Sequence, residues 1–325
     1  MILAGIDIGT NSIRLLIAEI GPGSFREQYT DRKTTRLGKN LDSSGRLSDA
    51  SMERSLVALL EFSTQINKFP VQQVSVVGTS ALRNAANAQD FINAANERTG
   101  LDITIISGED EARLMLRGVG HALRSGGRNV PDPLASALVI DIGGGSTECI
   151  VTSPAQRPVV KSLPLGAVYL AESCGISDPP EPGEVAKMRE VIRRELVKAE
   201  QNGLFMPDDQ ELRPRRLIGT AGTITTLVAM DHNLAIYDPA QINSSTLTRA
   251  AVDTIVAKLM NATLKERRGM TGLESGREDI ILPGAVVTQE IMERYKFSTM
   301  QVSDGGLREG IVLNLYERMS HWAMK

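Results

Sequence analysis

Two cysteines, three histidines, one tryptophan, five tyrosines and six phenylalanines are all this 325-residue chain has of the residue types that build metal clusters, disulfides and stacking platforms. Cys149 and Cys174 form no CxxC pair, and His121, His232 and His321 lie far apart, which argues against a disulfide framework or a zinc site. So few aromatics argue against a base-stacking reader of single strands. A formal net charge of −3 supplies no general attraction to a nucleic acid polymer or an anionic membrane, so a polyanion must be met by a local site. No apolar run reaches the ~18 residues of a membrane span, and MILAGIDIG at the start lacks a basic n-region. The expectation is a cytoplasmic protein with no membrane partner. Its oligomeric state is left open, a homodimer included.

What is present is ordinary in bulk and unusual in pattern. Hydrophobic residues make up 42% and charged residues 23%, as in a globular protein, and 325 residues exceed the usual single core and imply two domains. Residues 6–17 read IDIGTNSIRLLI and residues 140–151 read IDIGGGSTECIV, an echo at an offset of 134 (141 minus 7) that superimposes Asp7 on Asp141 and Ser12 on Ser146. VVGTSALR at 76–83 and LIGTAGTI at 217–224 form a second echo, each placing Gly-Thr after an apolar strand. Two echoes in the same order point to an internal duplication.

Each half reads as a strand meander followed by alternating helices and strands. In the first, ILAGIDIG, IRLLIAEI and a third strand near residues 25–37 precede a helical pattern through Met52, Leu56, Leu59, Leu60 and Ile66. Then come the strand QQVSVVG, a helix near 86–98, the strand DITII and a helix near 108–123. SGGRNVPDPLA carries enough Gly and Pro to be a linker. The second half restarts with ALVIDIGGG, STECIVTS and RPVVKSLPL, then helices, the strand RRLIG and further helices. The inferred architecture is two related α/β lobes around a central cleft.

A hairpin tip without bulky side chains lets backbone N–H groups and short hydroxyls converge on phosphate oxygens. Thr10, Asn11 and Ser12 supply one such cradle; Gly144, Gly145, Ser146 and Thr147 supply the other. Asp7 and Asp141 at the strand ends are then able to hold a hydrated Mg²⁺. Either motif alone is equally well a plain hairpin turn. The duplication is what favours a phosphate site.

At this point the chain resembles the exopolyphosphatase and guanosine pentaphosphate phosphohydrolase family, within the actin-like, sugar-kinase and heat-shock-chaperone ATPase superfamily. DIGTNSIRLL, RLGKNLDSSGRLS, GTSALRNAAN, GEDEARL, DIGGGSTE, SLPLGA, GTAGT, LPGAVV and SDGGLREG carry the resemblance over residues 5–310. It implies a duplicated ribonuclease-H-like fold of βββαβα type, with lobes at 1–126 and 127–306 and a C-terminal helix, 307–325, completing the first. It also implies release of terminal phosphate from inorganic polyphosphate or guanosine pentaphosphate, with Mg²⁺ or Mn²⁺ as cofactor. Glu111 matches the family glutamate that positions or deprotonates the attacking water, Asp141 and Glu148 its metal-associated acidic pair, and Arg83 an arginine beside the phosphates. Gly219, Thr220, Ala221 and Gly222, in GTAGT, match a nucleotide- or chain-binding turn.

On the residues alone, each assignment has a plainer counterpart. Glu111 follows Ser107, Glu109 and Asp110 at a helix start, where acids offset the helix dipole. Arg83 is equally a solvated helix residue, Glu148 a water-facing strand residue, and Cys149 strand core. Arg32, Lys33, Arg36 and Lys39 read either as an edge that discourages sheet pairing or as a polyanion track. Longer family members continue into an all-helical region, and the chain stopping at Lys325 implies short polyphosphate or a nucleotide as substrate. Two other functions stay open: an ATP-dependent small-molecule kinase of the same superfamily, and a nucleotide-sensing protein of actin type.

Overall fold

The strand ILAGIDI (β1, Ile2–Ile8) is buried from Leu3 onward, as befits an apolar run with no polar alternation at the centre of a sheet. In the computed structural model, which describes residues 1–125, 132–154, 156–205 and 213–323, it leads into β2 (Ser12–Gly21) and β3 (Ser24–Thr34). Next are α1 (Leu41–Ser44), α2 (Asp49–Ile66), β4 (Gln73–Gly78), α3 (Ser80–Asn84), α4 (Ala88–Thr99), β5 (Ile103–Ile105) and α5 (Gly108–Ser125). The first sheet has the order β3-β2-β1-β4-β5, its first three strands antiparallel and β1, β4 and β5 parallel.

The second half repeats the plan with β6 (Ala137–Ile142), β7 (Thr147–Ser153), β8 (Gln156–Leu163), α6 (Ala167–Cys174), α7 (Pro182–Gln201), β9 (Arg216–Thr220) and α8 (Ala221–Asp231). It continues through α9 (Pro239–Ile242), β10 (Thr246–Thr248), α10 (Arg249–Met260), α11 (Leu264–Arg268), α12 (Ile281–Arg294) and β11 (Thr299–Val302), and α13 (Leu307–Ala323) ends it. Its sheet order is β10-β11-β9-β6-β7-β8, so β8-β7-β6-β9-β11 reproduces β3-β2-β1-β4-β5 with β10 added at the edge. This is the mixed α/β duplication expected of two ribonuclease-H-like halves. Strands β10 and β11 were not expected from sequence. With three and four residues they carry too little pattern to stand out, and pairing of β11 with β9 and of β10 with β11 is what makes them strands.

The chain divides into two compact units, Met1–Gly118 with Gly306–Lys325, and Val119–Gly305. The boundary expected at residue 126, with most of the linker around it, falls outside the described residues. In the first unit, Val312 and Leu315 of α13 pack on Leu3, Leu16, Ala18 and Ile20 of β1 and β2. Each fully buried side chain of this size is worth about 1.5–3 kcal/mol. In the second unit, a capping box between Glu181 and Glu184, with proline following the cap, starts α7. That helix is tied to α12 through Glu290, 2% exposed, which accepts from Arg189 Nη1 and Arg193 Nε at 2.6 Å each.

Helices α5 and α13 each follow the last parallel strand of their own half, and they cross at glycine. A Cβ on Gly118 would stand 1.9 Å from the Gly306 carbonyl oxygen, and one on Gly310 would stand 1.8 Å from that of Leu114. Replacing a helical glycine by alanine ordinarily stabilises by about 0.5–1 kcal/mol. Gly183→Ala in α7, where nothing lies within 4 Å, should therefore raise the melting temperature. Gly310→Ala should instead cost about 1–3 kcal/mol or more. Thermal denaturation of the two variants decides it, and a stabilised Gly310→Ala would contradict the crossing.

Candidate active site

Both hairpins that carry the sequence echo close with the same bond, Gly9 N to Ser12 O and Gly143 N to Ser146 O, each 3.0 Å. In both, the loop after the third strand takes the carbonyls of the hairpin turn. Thr10 O accepts from Gly38 N (2.9 Å), and Asn11 O accepts from Thr35 N and Arg36 N (3.1 and 2.9 Å). Gly143 O accepts from Ala167 N (2.9 Å), and Gly144 O from Val168 N and Tyr169 N (2.8 and 3.1 Å). The N–H groups of Thr10 and Asn11, and of Gly144, Gly145 and Ser146, donate to no other described residue. Carbonyls held by protein with N–H groups left as donors make an anion-binding turn.

Close approach explains the composition. A Cβ on Gly166 would lie 2.2 Å from Gly144 O, so only glycine lets this loop seat against the tip. Gly38 plays the same part against Thr10, and buried Leu37 and Leu165 precede the two glycines. This Leu-Gly echo, at an offset of 128 (166 minus 38), was readable in the sequence and was missed there. Thr147 is fully buried and donates its hydroxyl to Leu165 O (2.7 Å), so it holds the loop and does not face a ligand.

Beside each tip stands an acid, differently accompanied. Asp7 is opposite Arg14 across β1 and β2, whereas Asp141 is opposite Glu148 across β6 and β7 and beside Thr220 of β9. Asp7 is 8% exposed and its Oδ1 is buried without a hydrogen-bond partner. Burial pushes its pKa up to about 7; Arg14 opposes that, Glu111 and Glu309 add to it, and Arg308 lowers it. Glu148, 2% exposed, accepts at Oε1 from Ser146 Oγ (2.8 Å) and Ser162 Oγ (2.7 Å), which fixes its carboxylate at the tip. Among the described residues no three Asp, Glu, His or Cys side chains gather as a metal cluster. Within the second unit, the adjacent carboxylates of Asp141 and Glu148 nonetheless fit Mg²⁺, which uses one or two carboxylates and takes its remaining ligands from phosphate and water; within the first, the buried Asp7 carboxylate is a single such ligand.

Arg83, in the last turn of α3, and Glu111, in the first turn of α5, meet directly. Arg83 Nη1 donates to Glu111 Oε2 (2.6 Å) and to Ile106 O (3.0 Å), and the guanidinium makes no other hydrogen bond among the described residues. Burial raises the Glu111 pKa, with the charge and hydrogen bond of Arg83 pulling the other way. The cap at this helix start is Ser107, whose Oγ accepts from Asp110 N (3.1 Å). Capping therefore falls to Ser107 and Asp110, and Glu111 is turned inward.

A family model described as the Ppx/GppA phosphatase family matches residues 16–319. The chain belongs to that family. It is 34% identical to Exopolyphosphatase 2 of Mycobacterium tuberculosis over 96% of this chain and 98% of that protein. A crystal structure of an exopolyphosphatase-like protein, 29% identical, matches over 98% of this chain and 100% of its own, with a TM-score of 0.88. The Aquifex aeolicus member of the Ppx/GppA family is 31% identical, covers 98% of each chain and has a TM-score of 0.79.

In this Ppx/GppA phosphatase the GTAG turn opens α8: Gly219 ends buried in β9, Thr220 Oγ1 donates to Gly305 O (2.9 Å), and Ala221 has a left-handed φ of 68°. A Cβ on Gly222 would fall 2.0 Å from Nη2 of Arg277, a buried arginine bonded to Glu274 (2.7 Å). Arg277 lies in an irregular stretch with no periodic or motif signal, so sequence reasoning had no means of finding it. Ser162 was findable, since the meander register sets it opposite Glu148. Of the basic run, Lys33 pairs with Glu61 (2.9 Å) and Asp31 (3.5 Å), as a solvated strand residue does, and Lys39 is exposed.

The Asp7 carboxyl has a raised folded-state pKa, so between about pH 4 and 7 the folded protein holds a proton that the unfolded chain has released. Stability thus falls as pH rises through that window, by about 4 kcal/mol at most. In the presence of chelator, Asp7→Asn should melt higher than wild type at pH 8 and lose that advantage towards pH 4. A melting-temperature difference independent of pH would contradict the burial of an uncompensated carboxyl.

Proposed function

We propose that the protein is a metal-dependent exopolyphosphatase: water attacks the terminal phosphorus of a polyphosphate chain, the anhydride P–O bond breaks, and orthophosphate leaves a chain one residue shorter. The observation that carries this reading is the pair of hairpin tips whose carbonyls are held by protein and whose N–H groups are left as donors, each beside a carboxylate. Membership of the Ppx/GppA phosphatase family and the likeness to Exopolyphosphatase 2 support it. Guanosine pentaphosphate presents the same terminal anhydride and is the second substrate to test.

Phosphoryl transfer spreads charge over the equatorial oxygens, so a catalyst needs oriented donors, a cation and an aligned water. In this reading Thr10, Asn11 and Ser12 in the first unit, and Gly144, Gly145 and Ser146 in the second, provide the donors. Glu111 orients the water and accepts its proton. Its raised pKa brings its basicity closer to neutral pH, and Arg83 holds it in place and offers its remaining N–H groups to phosphate oxygens. In the second unit Asp141 and Glu148, and in the first Asp7, are the residues that would hold Mg²⁺ or Mn²⁺, which when bound would neutralise phosphate charge.

The deciding experiment is a phosphate-release assay with short polyphosphate, long polyphosphate, guanosine pentaphosphate and ATP. Release from polyphosphate without an acceptor, abolished by excess chelator, is expected; turnover undiminished by chelator would remove the metal. Glu111→Gln should reduce kcat by roughly 10²- to 10⁴-fold with KM and melting temperature nearly kept, and should erase the acid limb of the kcat/KM profile. Asp110→Asn, on the same helix start, should keep activity. Equal loss in both variants would mean that the helix start, and not a specific base, is what matters.

A further inference from the structure

The loop that seats against the first hairpin tip carries charge that its geometry does not require. Between residues 32 and 48 five basic residues stand against one acid, Asp42. Lys33 is taken up by Glu61 and Asp31. Arg36 and Lys39 instead close a turn of their own: Lys39 N donates to Arg36 O (3.1 Å), which brings their Cα atoms within about 7 Å of each other. Between them, buried Leu37 anchors the turn in the core and Gly38 meets Thr10. Arg36 N donates to Asn11 O and Gly38 N to Thr10 O (2.9 Å each), so both basic residues leave the chain beside the tip. From α2, Arg54 Nε donates to Thr35 O (3.1 Å) and adds a third cation behind the same turn.

The duplication supplies an internal control. The second copy has Leu165-Gly166 where the first has Leu37-Gly38, and it seats its tip with Pro164 and Ala167 in the places of Arg36 and Lys39. Seating a tip therefore calls for leucine and glycine, and not for the flanking charges. Arg36 is moreover held at a left-handed φ of 51°, a conformation that glycine and asparagine adopt far more readily than arginine; Asn40, at φ 59°, shows the usual choice in the same loop. A strained basic residue at a place where the other copy has proline points to a use for its charge.

We propose that Arg36 and Lys39 form a chain-binding subsite of the first unit: with the terminal phosphate of a linear polyphosphate on the tip N–H groups, the guanidinium and the ammonium take the phosphates next in the chain. The proposal rests on the exopolyphosphatase reading. The planar guanidinium of Arg36 suits two phosphate oxygens at once, and Lys39 supplies a point charge on a flexible stem. A lone orthophosphate occupies the tip and needs neither side chain.

The test is Arg36→Asn/Lys39→Gln in the full chain, where asparagine removes the charge and eases the left-handed turn. Expected are a melting temperature equal to wild type or higher, a KM for polyphosphate raised about 5- to 20-fold with kcat kept, and an unchanged inhibition constant for orthophosphate. Lys39→Gln alone, an exposed change, should raise the same KM about 2- to 5-fold. With chelator present, direct binding of polyphosphate should weaken by similar factors and depend less steeply on salt. Lys68→Gln is the charge control: Lys68 is exposed near the start of β1, where Gln72 N donates to Ile2 O (2.9 Å), about 20 Å of strand from the tip, and its loss should leave KM unchanged. An unchanged polyphosphate KM, an equal rise in Lys68→Gln, or a matching loss of orthophosphate inhibition would overturn the subsite. If wild type releases phosphate from no polyphosphate, the hydrolase reading fails and the binding arm decides: polyphosphate binding lost in the double variant upholds the subsite, and binding that is absent from wild type or unchanged in the variant overturns it.

Discussion

A hairpin tip presents its N–H groups to a ligand only when its carbonyls are satisfied elsewhere, because an unconstrained turn rotates to bond itself or water. Here that condition is met twice by one device. The loop after the third strand folds back, a leucine anchors it in the core, and the glycine that follows brings its backbone against the tip. The third strand, the loop glycine and the orientation of the tip donors are therefore parts of a single constraint. The carboxylates at the strand ends, and the serine hydroxyls that steady Glu148, are arranged around it.

The two copies have diverged in charge while keeping this geometry. Opposite its strand-end acid the first unit places Arg14, and the second places Glu148. An acid facing a base is partly compensated across the strand pair, whereas the second unit sets two acids opposite each other and steadies Glu148 with serine hydroxyls. The helices diverge too. The chain leaves β5 into α5, which carries Glu111, and leaves β11 into α13, which carries Glu309, and both carboxylates act on Asp7 within the first unit. Glu309 is buried, accepts from Gly306 N (2.7 Å) and pairs with Arg308, so the electrostatic surroundings of Asp7 are assembled from both ends of the chain.

The Arg83–Glu111 contact illustrates where sequence reading stops. Each residue alone is well accounted for as an ordinary helix residue, and helix-start acids near Ser107 support that account. Their ion pair joins residues 28 apart, and it exists because parallel β4 and β5 bring the starts of α3 and α5 to the same end of the sheet. Thr147 illustrates the reverse. Its type and place suggested a phosphate ligand, but strand alternation turns its side chain into the core, where its hydroxyl holds the SLPLGA loop.

What the sequence by itself determined is the part of the protein that is periodic or repeated. Apolar runs with turn residues between them specify the two meanders, and the echo at offset 134 specifies that they are copies. Strand-end acids next to glycine-rich tips follow from the same letters. What only the tertiary structure decided is everything that depends on residues distant in the chain meeting in space. The β9–β11 pairing extends the second sheet, the Gly118 and Gly310 approach lets two helices cross, and Arg277 is set against Gly222. The physical reason is that local patterns record which face of an element is buried, while the identity of the neighbour is set by sheet order and helix packing, which no window of contiguous residues contains.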